Sequence, residues 1–113
     1  LSSPTLWHNP RCSKSRETLA LLQQRGVEPV IVEYLKTPPS AAELDRVLNL
    51  LGREPRELMR QGEEAYAGVP AGADRAALIR YMVEHPKLIE RPVFINGKKA
   101  AVGRPPEAVL EIV

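Results

Sequence analysis

The chain has 113 residues, of which 43% are apolar and 27% charged, with a net charge of +2. That length suits one domain and no more. The small charge, the interleaving of basic with acidic residues and the lack of a membrane-length apolar run argue against nucleic acid and membrane as partners.

Leu1-Ser2-Ser3-Pro4 does not read as a signal peptide, and the missing initiator Met reads as a trimmed end. Thr5–Trp7 is a short apolar run between Pro4 and the turn at Asn9-Pro10, which predicts a first strand. A helix follows from about Ser13 to Arg25, stopped by Gly26, with Leu19, Ala20, Leu21 and Leu22 as its broad apolar face. After Pro29, the β-branched stretch Val30–Tyr34 predicts a second strand. Strand, helix and strand in this order make a βαβ unit with parallel strands.

Thr37-Pro38-Pro39 is a stiff connector. Ser40 with Glu43 has the pattern of a capping box, and Leu44, Val47, Leu48 and Leu51 then recur at helical spacing until Gly52. Pro55 suits the first turn of a short third helix carrying Leu58, Met59 and Arg60. A loop over Gly68–Gly72 leads to a fourth helix from about Asp74 to Glu84, which turns Leu78, Ile79 and Met82 to one face. His85-Pro86 ends it, with His85 near the negative end of the helix dipole. Pro92 opens Val93-Phe94-Ile95, and Asn96-Gly97 predicts a tight hairpin turn into Lys98–Val102. Gly103-Arg104-Pro105-Pro106 turns into a last helix carrying Val109, Leu110 and Val113. The summed order predicts an α/β, thioredoxin-like fold with a four-stranded mixed sheet (βαβ then ββα). It reads as a single domain, 1–113, with a helical insertion over about 40–86.

Cys12 is the only cysteine. A lone cysteine is more often a buried, inert side chain. This one lies where the first strand gives way to the first helix, facing unpaired N–H groups and the positive dipole end, which favour the nucleophilic thiolate. His8, Arg11, Lys14 and Arg16 add local positive potential. One cysteine permits no internal disulfide, which fits a reducing cytoplasm, and with only two histidines no metal set is expected. A tyrosine-phosphatase loop is excluded, because Thr18 stands where that loop carries arginine. A dithiol oxidoreductase is excluded for want of a second thiol.

His8–Leu19, Tyr34–Pro39, Glu57–Arg60, His85–Pro92 and Gly103–Glu107 together span nearly the whole chain. In this order they resemble the glutaredoxin-dependent arsenate reductases of the ArsC/Spx superfamily. The Arg11–Ser15 centre and the Arg104–Glu107 end resemble most the reductase-like branch of unsettled substrate. The resemblance implies reduction of arsenate to arsenite, with the Cys12 thiolate attacking arsenic. Glutathione would then join as co-substrate, glutaredoxin would supply reducing power, and no cofactor would be bound. Arg60, Arg91 and Arg104 match the three arginines of the family, whose planar forks suit an oxyanion. The resemblance also places a cis-proline at Pro92, beside the cysteine. It matches His8 to a histidine that, as an imidazolium, favours the thiolate. Ser15 stands where thioredoxins and Spx-like regulators carry a second cysteine. Its hydroxyl is expected to bond the Cys12 thiolate, a backbone group, or both. Asn9 is expected to brace the loop, and the protein to be a monomer. Two other readings stay open: a glutathione-dependent thiol oxidoreductase acting on another substrate, and an Spx-like RNA polymerase-binding regulator. The serine at position 15 and the three retained arginines count against the regulator.

Overall fold

In the computed structural model, which describes residues 3–113, four strands form one sheet: β1 (Thr5–Trp7), β2 (Val30–Val32), β3 (Val93–Asn96) and β4 (Lys99–Val102). Their order is β2-β1-β3-β4, with β1 parallel to β2 and β3 antiparallel to both β1 and β4. This is the thioredoxin-like arrangement. The described chain divides into two compact units. One contains the sheet and is built from the chain up to Thr37 and from Arg91 onward; the other is Pro38–Glu90.

In the sheet unit, α1 (Ser13–Gln24) buries Ser15, Thr18 and Leu22. The expected Leu19–Leu22 face is therefore turned: Leu19 and Leu21 are half-buried and Ala20 is exposed. The inward stripe begins with two hydroxyl residues because that end of the helix serves a polar loop. Leu22 completes a fully buried cluster with Leu6, Phe94 and Val109, against which Leu19, Val27, Ala101, Leu110 and Ile112 pack. Burying such side chains stabilises the unit by about 1.5–3 kcal/mol each.

Three expectations shift here. β2 stops at Val32, because the amides of Lys36 and Thr37 both donate to the Glu33 carbonyl and turn the chain. Its Val30 and Ile31 are 52% and 41% exposed, so their β-branching serves an edge strand's pleat rather than a core. The hairpin turn is Gly97-Lys98 instead of Asn96-Gly97, since Asn96 pairs with Lys99. Asn96 is held in the strand by its Nδ2, which donates to the Ile112 carbonyl at 2.6 Å, and Gly97 takes the left-handed φ of +64°. The last helix is a 3₁₀ segment, Pro106–Ile112, which leaves Val113 outside and exposed.

The helical unit has α2 (Ala41–Leu51) and α3 (Arg75–Glu84), which bury Leu44, Val47 and Leu48 and Leu78, Ile79 and Met82 respectively. Ser40 Oγ accepts the Glu43 amide, but the Glu43 carboxylate pairs with Arg46, so only half of the capping box is made. The short third helix is 3₁₀, Pro55–Leu58, and leaves Met59 and Arg60 outside it. An antiparallel contact absent from the sequence reading joins Met59 to Ile89. On either side of it the Arg60 amide donates to Leu88 O and the Glu90 amide to Leu58 O, at 2.7 and 2.8 Å. Further 3₁₀ turns, Glu64–Gly68 and Pro86–Leu88, were also unforeseen. No helix among the described residues is long and apolar enough to cross a membrane.

Gly103 marks the tightest approach in the sheet unit. A Cβ there would lie 2.5 Å from Thr18 Oγ1 and 2.7 Å from Pro92 Cγ. Neither neighbour yields easily, because Thr18 is fully buried and bonded to the Lys14 carbonyl, and Pro92 is a buried ring. Gly103→Ala is expected to destabilise the protein by about 1–3 kcal/mol, read from the midpoint of urea unfolding at unchanged slope.

Candidate active site

Strand register gathers the site. Trp7, at the end of β1, pairs with Val93, at the start of β3, and Val93 pairs with Val102, at the end of β4. The residues that follow Trp7, precede Val93 and follow Val102 therefore leave the sheet at one end. These are His8–Cys12, Arg91-Pro92 and Gly103-Arg104.

The first of these segments is a tight turn. The Cys12 amide donates to the Asn9 carbonyl, and Asn9 Oδ1 accepts the Arg11 amide at 3.0 Å. Arg16 Nη1 reaches back to the Pro10 carbonyl at 2.9 Å. Cys12 then occupies the N-cap of α1, with extended backbone (φ −95°, ψ 123°), and its carbonyl accepts the Arg16 amide. From this position the sulfur meets the free amides of the first helical turn.

Arg104 closes the site from the β4 side, with Nη2 3.8 Å from Cys12 Sγ and Nε donating to the Arg91 carbonyl at 2.8 Å. The Gly103 amide donates to the Pro92 carbonyl at 2.9 Å, which ties the two loops together. The Arg91-Pro92 bond is cis, as expected, and Arg104-Pro105 is cis as well. Burial pushes the Cys12 thiol up, and it is the largest single influence. The Ser15 amide, the charge of Arg91, the Lys14 amide and the charge of Arg104 act the other way, and together they hold the thiol below its ordinary range.

Of the two partners expected for the Ser15 hydroxyl, the backbone group is the one found. The hydroxyl accepts the Asn9 amide at 3.0 Å and lies 2.6 Å from His8 Nδ1, so it is engaged away from the sulfur. It is the Ser15 amide that acts on Cys12. The expected role of His8 changes. Burial, the largest influence, lowers its pKa, Glu33 opposes that, and Arg16 adds to it. The imidazole is therefore disposed to be neutral, with Nδ1 hydrogen-bonded to the serine oxygen, rather than to act as an imidazolium beside the thiolate. Asn9 braces the loop, as expected. Arg60 lies in the helical unit, where its Nη1 is 2.9 Å from Glu63 Oε2. His85 caps the end of α3, bonded to the Tyr81 carbonyl and stacked on its ring at 4.1 Å. Among the described residues no group of three or more His, Cys, Asp or Glu side chains is placed to hold a metal ion.

Comparison with known proteins adds an independent result. The model of the ArsC family matches residues 7–112. The chain belongs to the ArsC family. It is 54% identical over 112 residues to the Escherichia coli (strain K12) protein named uncharacterized protein YfgD, spanning 96% of this chain and 94% of that one. It is 46% identical over 115 residues to an arsenate reductase of Haemophilus influenzae, spanning 98% and 99% of the two chains. The solved structure of an arsenate reductase from Vibrio cholerae matches with a TM-score of 0.93 at 49% identity, covering 98% of each chain.

Gly103 and Arg16 position this ArsC-type site without having been singled out as doing so. Gly103 had a readable signal in that it directly precedes Arg104, whereas the Arg16 clasp depends on where a long side chain folds back.

Two titrations test the electrostatics. Removing a cation destabilises the thiolate, so the alkylation midpoint of Cys12 is expected to move to higher pH in Arg91→Ala, and also in Arg104→Ala. For His8, whose folded pKa lies below the ordinary 6.5, the unfolded chain binds more protons between the two values. Stability is therefore expected to fall as pH drops from 6.5 through that window, then to level off. His8→Asn is expected to flatten this slope in urea titrations run at stepped pH.

Proposed function

We propose that this protein is an arsenate reductase that uses Cys12 as its nucleophile and draws electrons from glutathione and glutaredoxin. The observation that carries this reading is the Cys12 sulfur at the start of α1, with Arg104 Nη2 3.8 Å away and Arg91 also lowering its pKa. A nucleophilic thiolate and guanidinium forks for a tetrahedral oxyanion then share one site. The arsenate reductases among its relatives support the choice of substrate.

In this reaction the thiolate forms a sulfur–arsenic bond, and Arg91 and Arg104 hold the remaining oxygens and offset their charge. Glutathione joins the arsenic through its own sulfur. Each of these two bonds forms as an arsenate oxygen leaves as water; a glutaredoxin thiol then takes the glutathione sulfur as a mixed disulfide, which leaves two electrons on arsenic, and water cleaves the Cys12 sulfur–arsenic bond to release arsenite and return the thiol. Glutathione carries two carboxylates. A cavity of about 220 Å³ beside the Cys12 loop, lined by Arg11, Lys36 and Glu33 among others, offers Arg11 as a cation for them, Lys36 being 3.5 Å from the Glu33 carboxylate. The reading puts the protein in a reducing cytoplasm, where such a thiol pool exists, acting as a monomer.

Purified protein with arsenate, glutathione and glutaredoxin is expected to release arsenite. Cys12→Ser is expected to abolish turnover, and Arg91→Ala to lower kcat/KM about 10- to 100-fold, the loss of one charge-assisted contact. Turnover that survives Cys12→Ser overturns the proposal. A folded protein that turns over a glutathione mixed disulfide but not arsenate overturns the choice of substrate.

A further inference from the structure

Val30, Ile31, Leu35 and Val113 are the large apolar side chains left exposed among the described residues, and the first three lie together, on and just after β2. Val30 and Ile31 are neighbours along a strand, so they point to opposite faces of the sheet and water reaches both. β2 is an edge strand. The Val30 amide donates to the Pro4 carbonyl and the Val32 carbonyl accepts the His8 amide, so these two residues turn their backbone toward β1. Ile31, between them, turns its N–H and C=O outward, where no described strand pairs with them. Such edges are commonly blunted by lysine, and β2 carries none. The patch also runs on to the site. β2 is parallel to β1, so it ends beside the start of the Cys12 loop, one strand spacing of about 4.8 Å away. Leu35, 39% exposed, lines the cavity of about 220 Å³ whose other residues include His8, Asn9, Pro10 and Arg11.

We propose that the β2 edge, with Val30, Ile31 and Leu35, is the surface on which glutaredoxin docks. The inference rests on the reading of the protein as a reductase that draws on glutathione and glutaredoxin. In that reaction a glutaredoxin thiolate attacks the glutathione sulfur on arsenic. A sulfur–sulfur bond forms, the arsenic–sulfur bond breaks, and its electron pair stays on arsenic. Glutathione held at the cavity beside the Cys12 loop draws the attacking protein over that cavity, and Leu35 makes the apolar edge continuous with it. The size of the patch selects among occupants. A stable dimer buries about 800 Å² per partner, from roughly 20–30 residues a side. A strand of three residues with one leucine beyond it falls far short of that, which disfavours a second copy of this chain. Redox encounters belong to the small, weak class, as they must when the partner leaves with glutathione after every turnover. A strand or loop beside the partner's thiol would bond the outward N–H and C=O of Ile31, and its apolar side chains would cover Val30 and Leu35.

Steady-state kinetics with glutaredoxin as the varied substrate test this on Val30→Lys, Ile31→Lys and a control, Val113→Lys, with each fold checked by circular dichroism. The two edge variants are each expected to raise KM for glutaredoxin about five- to tenfold, while KM for arsenate and KM for glutathione stay unchanged. Val113→Lys, at a similarly exposed apolar position outside the patch, is expected to change none of the three. An unchanged KM for glutaredoxin in both edge variants overturns the docking surface. So does an equal rise in Val113→Lys, since any added charge would then suffice. A wild-type rate that does not depend on glutaredoxin overturns instead the reading of the reductant, and this proposal with it. Sedimentation at rising protein concentration checks the other occupant: a dimer that Ile31→Lys dissolves assigns the edge to a second copy and overturns the proposal. If Ile31→Lys does not fold, Ile31→Thr, which keeps the β-branching, replaces it under the same criteria.

Discussion

A sulfur shut away from water keeps its proton unless fixed positive groups stand around it. At Cys12 burial is the strongest single influence and works against charge, yet four smaller ones outweigh it: two helix-start amides and two guanidinium groups. The sheet unit is arranged to keep those four in place. α1 has to begin just after Cys12, at Ser13, for its first amides to be free there. The register of β1, β3 and β4 has to bring Arg91 and Arg104 out at the end of the sheet where the Cys12 loop emerges. Gly103 has to lack a side chain, because Thr18 and Pro92 occupy the space one would take.

Much of this was legible in the chain because it depends on local signals. The first strand, the start of α1 at Ser13, the Ser40 cap and the αL glycine after α2 are written in neighbouring residues and appear as read. What escaped depends on partners far along the chain. Asn96 looked like a turn residue until Ile112 gave its amide a reason to stay in the strand. The pairing of Met59 with Ile89 leaves no trace in either short stretch, since one residue on each side cannot show a period. The apolar face of α1 was misplaced because periodicity weighs Leu19–Leu22 and cannot know that Ser15 and Thr18 are committed to the interior.

The loop before Cys12 shows the same division at the level of single atoms. Sequence reasoning put His8 and Ser15 near the cysteine, gave His8 a direct effect on the sulfur and gave Ser15 either that or a backbone partner. The two groups satisfy one another instead, with the Asn9 amide completing the set. A buried imidazole and a buried hydroxyl each need a partner, and together they leave neither unmet. Their influence on Cys12 passes through the backbone: fixing Ser15 fixes the amide that acts on the thiolate. Residue type predicted the neighbourhood, but hydrogen-bond accounting decided the role.

The place where a second thiol would stand is taken by Ser15, whose oxygen is engaged on both sides. If an oxidant turns Cys12 into a sulfenic acid, no neighbouring sulfur can condense with it into an internal disulfide. Repair is therefore a collision with another molecule, first order in whatever thiol surrounds the protein. The lifetime of the oxidised form is thus set by its surroundings, and a cell short of reduced thiol would accumulate it in proportion to the shortage.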